Sequence, residues 1–299
     1  MIPVIVNATA GAGHAESDYE NLRELFRVAG ARAQILPARS GAELKELART
    51  AMKDAPRVLV AAGGDGTVSA VAEATRGTPT ALGILPMGTL NHVAKDLAIP
   101  LDIGAAVKVS VAGRPVAIDV GEVNGVAFLN NSSIGLYPDI VRDRTRQQRR
   151  LGRSKWHAML WAILAALRRS PLMRMRLELD GKEHECCAPF VFVGNNVYEM
   201  EGFRIGQRAS MDAGTLSVYT THRSSTADLF VLALRALFRR LRQAEDFSAA
   251  TARSLTVELP RKRVLVAIDG EVQAMDSPLR YRILPRSLLI MAPARAADD

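Results

Sequence analysis

The chain opens on an uninterrupted apolar run at residues 2–6, and further short apolar runs follow at 33–36, 57–62 and 81–85. Between them apolar positions recur at helical spacing over 17–29, 42–52, 68–75 and 90–97, with a last helical stretch at 103–112. Short apolar runs bounded by turn residues read as buried strands, and a 3.6-residue recurrence reads as helix. Strand and helix in alternation predict βαβ units around a parallel sheet. Ligands of such sheets sit beyond the carboxyl ends of the strands, which directs attention to the loops after Val6, Ala62 and Leu85.

The texture changes near Val116. Strands are expected at 116–120, 126–130, 173–179, 189–193, 215–220, 254–259, 264–268 and 279–283, with helical insertions at about 154–169 and 226–242. The pattern predicts α/β plus β: an N-terminal parallel-sheet α/β domain over 1–116 and a C-terminal, mainly antiparallel β domain with inserted helices over 117–286. One more apolar strand at 287–292 is expected to return to the first domain, and the Ala-rich acidic end at 294–299 to fray.

Composition narrows the class. With 299 residues, 48% hydrophobic and 23% charged, the chain matches globular usage and excludes a disordered, collagen-like or coiled-coil protein. Lys plus Arg number 39 against 31 Asp plus Glu, a net +8, so an anionic partner is expected: nucleotide, nucleic acid or acidic lipid leaflet. The two cysteines, Cys186 and Cys187, are adjacent, which gives neither a disulfide framework nor a Cys-based zinc site and fits a reducing compartment. No leader peptide is expected at 1–6, and no apolar run reaches the roughly 18 to 20 residues that span a bilayer. A cytoplasmic protein that touches the inner membrane face only peripherally is the expectation.

Two loops carry candidate chemistry. Gly63-Gly64-Asp65-Gly66-Thr67 follows the strand at 57–62 and precedes a helix that Thr67 is placed to cap. Its glycines let amide N–H groups approach a phosphate, and the helix start adds partial positive charge. The loop has neither a Walker A Lys nor dinucleotide-fold spacing. An Asp among those glycines fits a phosphate site when it holds Mg2+ through water or orients a reacting group; the alternative is a tight strand-to-helix turn with Asp65 as cap. Pro86-Met87-Gly88-Thr89-Leu90-Asn91 also leaves a strand for a helix, at a neighbouring strand end.

With these two loops, Asn7 after the first strand, Asp119 in Ile118-Asp119-Val120-Gly121, the stretch Asn130-Asn131-Ser132-Ser133-Ile134-Gly135, and Ile268-Asp269-Gly270-Glu271, nearly the whole chain resembles the diacylglycerol kinase and sphingosine kinase family in its bacterial lipid-kinase form. The resemblance implies a nucleotide-binding α/β domain and a β-rich domain, with ATP and lipid in the cleft between, and transfer of the γ-phosphoryl group to a lipid hydroxyl such as that of diacylglycerol. It implies that Asn7, Gly63, Gly64, Asp65, Gly66, Thr67, Val68, Ser69, Ala70, Gly88, Thr89 and Asn91 form the ATP site. Glu271 takes the place of the proton acceptor with Asp269 assisting, Asp65 organises the metal-water shell, and Asp65, Asp119 and Asp212 are the candidate magnesium ligands. Two carboxylates either side of Gly270 at a strand end would share one pleat face, able to take a hydroxyl proton; the alternative is a hairpin turn after 264–268. The chain departs from the family at His92, where Asp commonly follows Asn, and at Ala213 before Gly214 in the segment that commonly holds a structural Mg2+.

A lipid substrate brings a membrane with it. Residues 142–155 hold seven cations, among them Arg146, Arg149, Arg150, Arg153 and Lys155, against Asp143, and lead into an apolar stretch with Trp156 and Trp161. Such a segment suits an anionic leaflet; the alternative is a core helix with a solvated flank. The stretch at 229–241 is a second, weaker candidate. Tyr198, Glu199 and Phe203 either line a lipid pocket or pack a loop. An NAD kinase shares the Gly-Gly-Asp-Gly-Thr loop, and a catalytically weak lipid-binding or regulatory protein on the same fold is the reading from another class. A nucleic-acid reading rests on charge alone, no recognition motif supports it, and no nucleic acid is expected as a partner. The acceptor lipid and the oligomeric state, a homodimer included, stay open.

Overall fold

The computed structural model describes residues 1–9, 16–135, 172–199, 207–208, 210–221 and 248–294. The chain divides into two compact units, residues 1–120 with 285–299, and residues 121–284.

In the first unit the apolar runs become β1 (Ile2–Asn7), β2 (Ala33–Ala38), β3 (Val58–Gly63) and β4 (Ala81–Pro86), paired in parallel in the order β2-β1-β3-β4. Every residue of β3 and β4 is buried, as expected of parallel strands covered on both faces. Helices α1 (Glu16–Val28), α2 (Gly41–Ala51), α3 (Asp65–Thr75), α4 (His92–Asp96) and α5 (Ile103–Ala112) fill the connections. Their starts follow from side-chain caps where these exist: Ser40 Oγ accepts from Glu43 N at 3.2 Å, and Asp102 Oδ1 accepts from Ala105 N at 2.8 Å. On α1, Leu22 and Phe26, one turn apart, are the buried pair.

The second unit is an antiparallel sandwich. Strand β5 (Arg114–Val123) runs into it and turns at Asn124-Gly125 into β6 (Val126–Phe128). Then come β7 (Asn131–Gly135), β8 (Met173–Leu179), β9 (Lys182–Ala188), β10 (Phe190–Asn195), the short β11 (Tyr198–Glu199) and β12 (Gln207–Arg208), β13 (Leu216–Thr220), β14 (Ser248–Ala252), β15 (Ser254–Glu258), β16 (Arg263–Ile268), β17 (Glu271–Asp276) and β18 (Leu279–Ala292). One sheet has the order β14-β13-β10-β7-β16-β17; the other runs β9-β8-β15 to the first part of β18. Between them lies an apolar core that includes Ile134, Val191, Leu216 and Val266 from one sheet and Leu177, Leu255, Leu279 and Tyr281 from the other. Alternation along each strand supplies these inward positions.

The expected strands at 279–283 and 287–292 are one strand. It passes Pro285 without ending; next to it Arg286 adopts φ 49° and donates its N–H to Asp119 Oδ1 at 2.8 Å. Its first part pairs antiparallel with β15 and its last part parallel with β4, Ile290 opposite Leu82. Strands β7, β9, β14 and β17 and the two-residue β11 and β12 lie outside the expected set. Conversely, the expected strand at 126–130 ends at Phe128. The helical insertions at 154–169 and 226–242, the basic and Trp residues from Arg146 to Trp161, Phe203 and the tail beyond 294 lie outside the described residues.

Candidate active site

Three strand ends of the first unit deliver the candidate residues. Parallel pairing sets Val6 opposite Ala62 and Gly63 opposite Pro86, so the loops after β1, β3 and β4 start side by side. Met87 N donates to Gly63 O at 3.0 Å, and the two glycine loops touch at Gly64 and Gly88. A Cβ on Gly88 would stand 2.5 Å from Gly64 Cα and 2.7 Å from Asn91 Oδ1, so only glycine permits this approach.

Asn91 builds the second loop from within. It is buried, with φ 51°; its Oδ1 accepts from Gly88 N at 3.0 Å and its Nδ2 donates to Gly88 O at 2.8 Å. The amide is thus spent on loop shape and leaves Thr89, which is exposed, as the hydroxyl at the surface. Asp65 ties the loops together, its Oδ1 accepting from His92 N at 2.8 Å. Imidazole at position 92 therefore leaves this link intact, since the backbone makes it.

Helix α3 starts earlier than the apolar pattern indicates, with Gly64 as its N-cap and Asp65 in its first turn. Thr67 is not the cap. It lies inside the first turn, 2% exposed, and its Oγ1 accepts from Asn7 Nδ2 at 3.2 Å. Asn7 Oδ1 in turn accepts from Thr9 N and Thr9 Oγ1, so Asn7 clamps the β1 loop onto α3. Val68 and Ala70 face the core, and Gly63 is enclosed against Thr67, so these three shape the loop from behind. Gly64, Asp65, Gly66 and Ser69 are the members of the run that reach the surface.

In the second unit the alternative reading of Asp-Gly-Glu holds. Ile268 pairs with Glu271, and Asp269 and Gly270, at φ 46° and 86°, form a two-residue hairpin turn. The two carboxylates therefore do not share a pleat face. Asp269 Oδ2 accepts from Leu129 N, and its Oδ1 from Asn130 N and Asn131 N, at 2.8 to 3.1 Å. Charge-assisted bonds of this kind fix the 129–131 peptides and leave Asp269 a positioning residue. Glu271, by contrast, is exposed and accepts no hydrogen bond among the described residues.

The same peptides are held from their carbonyl side by Arg208, a residue the sequence reading did not single out. It is 7% exposed and donates to Leu129 O at 2.6 Å, Asn195 O at 3.3 Å and Asn130 Oδ1 at 3.2 Å, and it lies 5.2 Å over the Tyr198 ring. An isolated Arg in a polar stretch carries no periodic signal. Asn195 Nδ2 adds a bond to Leu129 O at 2.9 Å. Tyr198 is buried and belongs to this packing. Deeper in the sandwich, Tyr281 OH meets Ser132 Oγ at 3.1 Å, and burial pushes its phenol well above the usual range.

The remaining acidic candidates have backbone or side-chain partners of their own. Asp119 is fully buried and holds Arg286 N, and Asp212 closes a small turn with Ser210, Oγ to Oδ1 at 2.6 Å. Among the described residues no three His, Cys, Asp or Glu side chains are placed to hold a metal ion.

Residues 1–123 match the family model of the diacylglycerol kinase catalytic domain, and residues 137–292, more than half of the chain, match the YegS C-terminal NAD kinase beta sandwich-like domain. The chain belongs to the diacylglycerol kinase family of lipid kinases. Enzymes of this family are phosphotransferases with an alcohol group as acceptor. Its similarity to a YegS-like lipid kinase of Klebsiella pneumoniae is 26% identity over 239 residues, 79% of this chain and 77% of that one. A diacylglycerol kinase of Staphylococcus aureus is 28% identical over 186 residues, 61% of this chain and 58% of that relative's length. Among solved structures, a diacylglycerol kinase from Bacillus anthracis superposes with a TM-score of 0.71 at 19% identity, and a second Bacillus anthracis structure with 0.76 at 22%. Each covers 97% of this chain and 96% of its own, which establishes the lipid-kinase fold across both units. No described helix of this family member is long and apolar enough to cross a membrane.

Proposed function

We propose that the protein is an ATP- and Mg2+-dependent lipid kinase that transfers the γ-phosphoryl group to a lipid hydroxyl, diacylglycerol being the acceptor class nearest to its relatives' names. The observation that carries this is the pair of glycine loops pressed together at Gly64 and Gly88 and linked by Asp65 and His92. Backbone N–H groups of Gly64 to Thr67, the start of α3 and the Thr89 hydroxyl offer donors for the ATP phosphates. With no three-ligand cage among the described residues, the donor set fits a cation that arrives with the nucleotide, with Asp65 as a carboxylate toward it. When bound, Mg2+ supplies charge neutralisation for the transferring phosphoryl group.

In this reading Glu271 takes the proton of the lipid hydroxyl. Its carboxylate is exposed and unengaged among the described residues, whereas Asp269 accepts from three backbone donors. Asp269 and Arg208 hold the peptides beside the hairpin that presents it. Reaction at a lipid requires contact with the bilayer, and the basic stretch with Arg149, Arg150 and Arg153 is the proposed docking element. Replacing these three with Gln is expected to weaken binding to anionic vesicles by about 1 kcal/mol per charge.

The test is transfer of label from ATP and Mg2+ into a mixed lipid extract, run beside NAD as acceptor because the second domain's family description names the NAD kinase sandwich. A labelled lipid band that falls by about 100-fold or more in Glu271→Ala supports the reading and identifies the acceptor. Label in NAD alone, or a lipid band undiminished in folded Glu271→Ala and Asp65→Ala, would overturn it.

A further inference from the structure

Within the second unit, β16 runs from Arg263, opposite Asp276, to Ile268, opposite Glu271. Five residues of strand, about 17 Å, separate its start from the turn that presents Glu271. At that remote end lies a cavity of about 330 Å3, with Ile134, Leu259 and Val264 among its apolar walls and Arg174, Arg261 and Arg263 among its lining residues. All three arginines are exposed, and none forms an ion pair among the described residues, Arg263 making none even with Asp276. Their neighbour Arg176 is the one that takes up the carboxylates of Glu183 and Glu258, at 4.0 Å each. Among the described residues no Asp or Glu lines the cavity.

Three guanidinium groups with no ion pair among the described residues, beside an apolar hollow, match a ligand with a phosphate at one end and hydrocarbon at the other, since guanidinium forks bind phosphate oxygens in pairs. The volume lies at the lower end of small-molecule sites, which accommodates one chain. Gly135 and Leu172, also on the lining, flank in sequence the stretch that carries the arginines of 142–155 and both tryptophans. We propose that this cavity is an accessory site for an acidic lipid, taking its phosphate on Arg174, Arg261 and Arg263 and one of its chains between the sheets, apart from the lipid whose hydroxyl is phosphorylated. The site does not rest on the phosphoryl-transfer reading, and its occupancy is measured without ATP.

The experiment is isothermal titration of the full chain with dodecyl phosphate below its micelle concentration, against inorganic phosphate and neutral dodecyl maltoside. The triple variant Arg174→Gln, Arg261→Gln, Arg263→Gln removes the cations, and Val264→Phe fills the hollow, with Leu265→Trp in its place should Val264→Phe unfold. The proposal expects dodecyl phosphate to bind at least tenfold more tightly than either control and to lose at least tenfold in both kinds of variant, while their turnover of a dispersed short-chain diacylglycerol stays at the wild-type rate. Equal affinity for inorganic phosphate would reduce the site to a surface anion patch and overturn the proposal. So would unchanged binding in the filled variant, equal binding of dodecyl maltoside, or no binding of dodecyl phosphate. Loss of turnover together with binding in the arginine variant would make the cavity part of the substrate groove, and the accessory role would fall.

Discussion

Gly88 has no room for a methyl group, and this makes it the sharpest single-residue probe of the phosphate loops. The obstacle is backbone, Gly64 Cα, so a Cβ can be accommodated only by moving one loop. Gly88→Ala is expected to cost about 1 to 3 kcal/mol, read as a lowered urea midpoint, and to reduce ATP-dependent turnover at least tenfold. Asp269→Asn tests the hairpin anchor. Its amide would turn a donor toward an N–H that now has an acceptor, an expected loss of about 1 to 3 kcal/mol by urea titration. The adjacent thiols separate by environment: Cys187 is exposed, whereas burial pushes the half-buried Cys186 thiol up. Single Cys→Ser variants titrated with a disulfide reagent at pH 8 are expected to show fast reaction at Cys187 and slow reaction at Cys186. Because the folded thiol is the raised one, its stabilising contribution is present below the ordinary thiol range near pH 8.5 and is lost as pH rises through the raised value.

Three hairpins of the described chain share one construction. Asn124-Gly125, Asp180-Gly181 and Asp269-Gly270 each place an Asx and a Gly at positive φ, and each Asx side chain is bonded to backbone on a neighbouring segment. Nothing lies within 4 Å of a Cβ built on Gly181 or Gly270, so alanine at either meets only backbone strain. Both substitutions are expected to cost about 1 to 2 kcal/mol in chemical denaturation, with turnover falling only in Gly270→Ala, whose turn presents Glu271. The same elements show what the sequence makes legible. Strands β1 to β4 stand out because burial on both faces makes them continuous apolar runs. Strand β9 reads Lys-Glu-His-Glu-Cys-Cys-Ala and β17 is mostly exposed; both are sheet edges, where polar side chains erase the alternation. Strand β7 hides because Asn131, Ser132 and Ser133 look like loop, although Ser132 satisfies its hydroxyl on Tyr281 inside the sandwich. At the site, the glycine loops were visible as glycine spacing. That Asp269 anchors while Glu271 accepts no side-chain hydrogen bond among the described residues was not, since the anchoring depends on partners more than a hundred residues away.

At the scale of the molecule, the first unit is assembled from both ends of the chain. Asp119, fully buried, receives Arg286 N, and Ile290 pairs with Leu82. Truncation after Leu284 deletes the strand beside β4 and leaves Asp119 with a bond unmade, a buried-acceptor cost of about 1 to 3 kcal/mol on top of the lost pairing. The truncated chain is expected to lose its cooperative thermal transition by calorimetry. Adding the peptide of residues 285–294 in trans is expected to restore part of it. During synthesis this arrangement has a cost in time. Strand β4, wholly buried in the finished protein, emerges long before its last neighbour, and at translation rates of about 5 to 20 residues per second the interval is roughly 10 to 40 s. For that interval every nascent copy carries an apolar strand edge open to pairing with other chains on the same polysome, so yield in overexpression should depend more on translation speed and chaperone supply than on the stability of the finished fold.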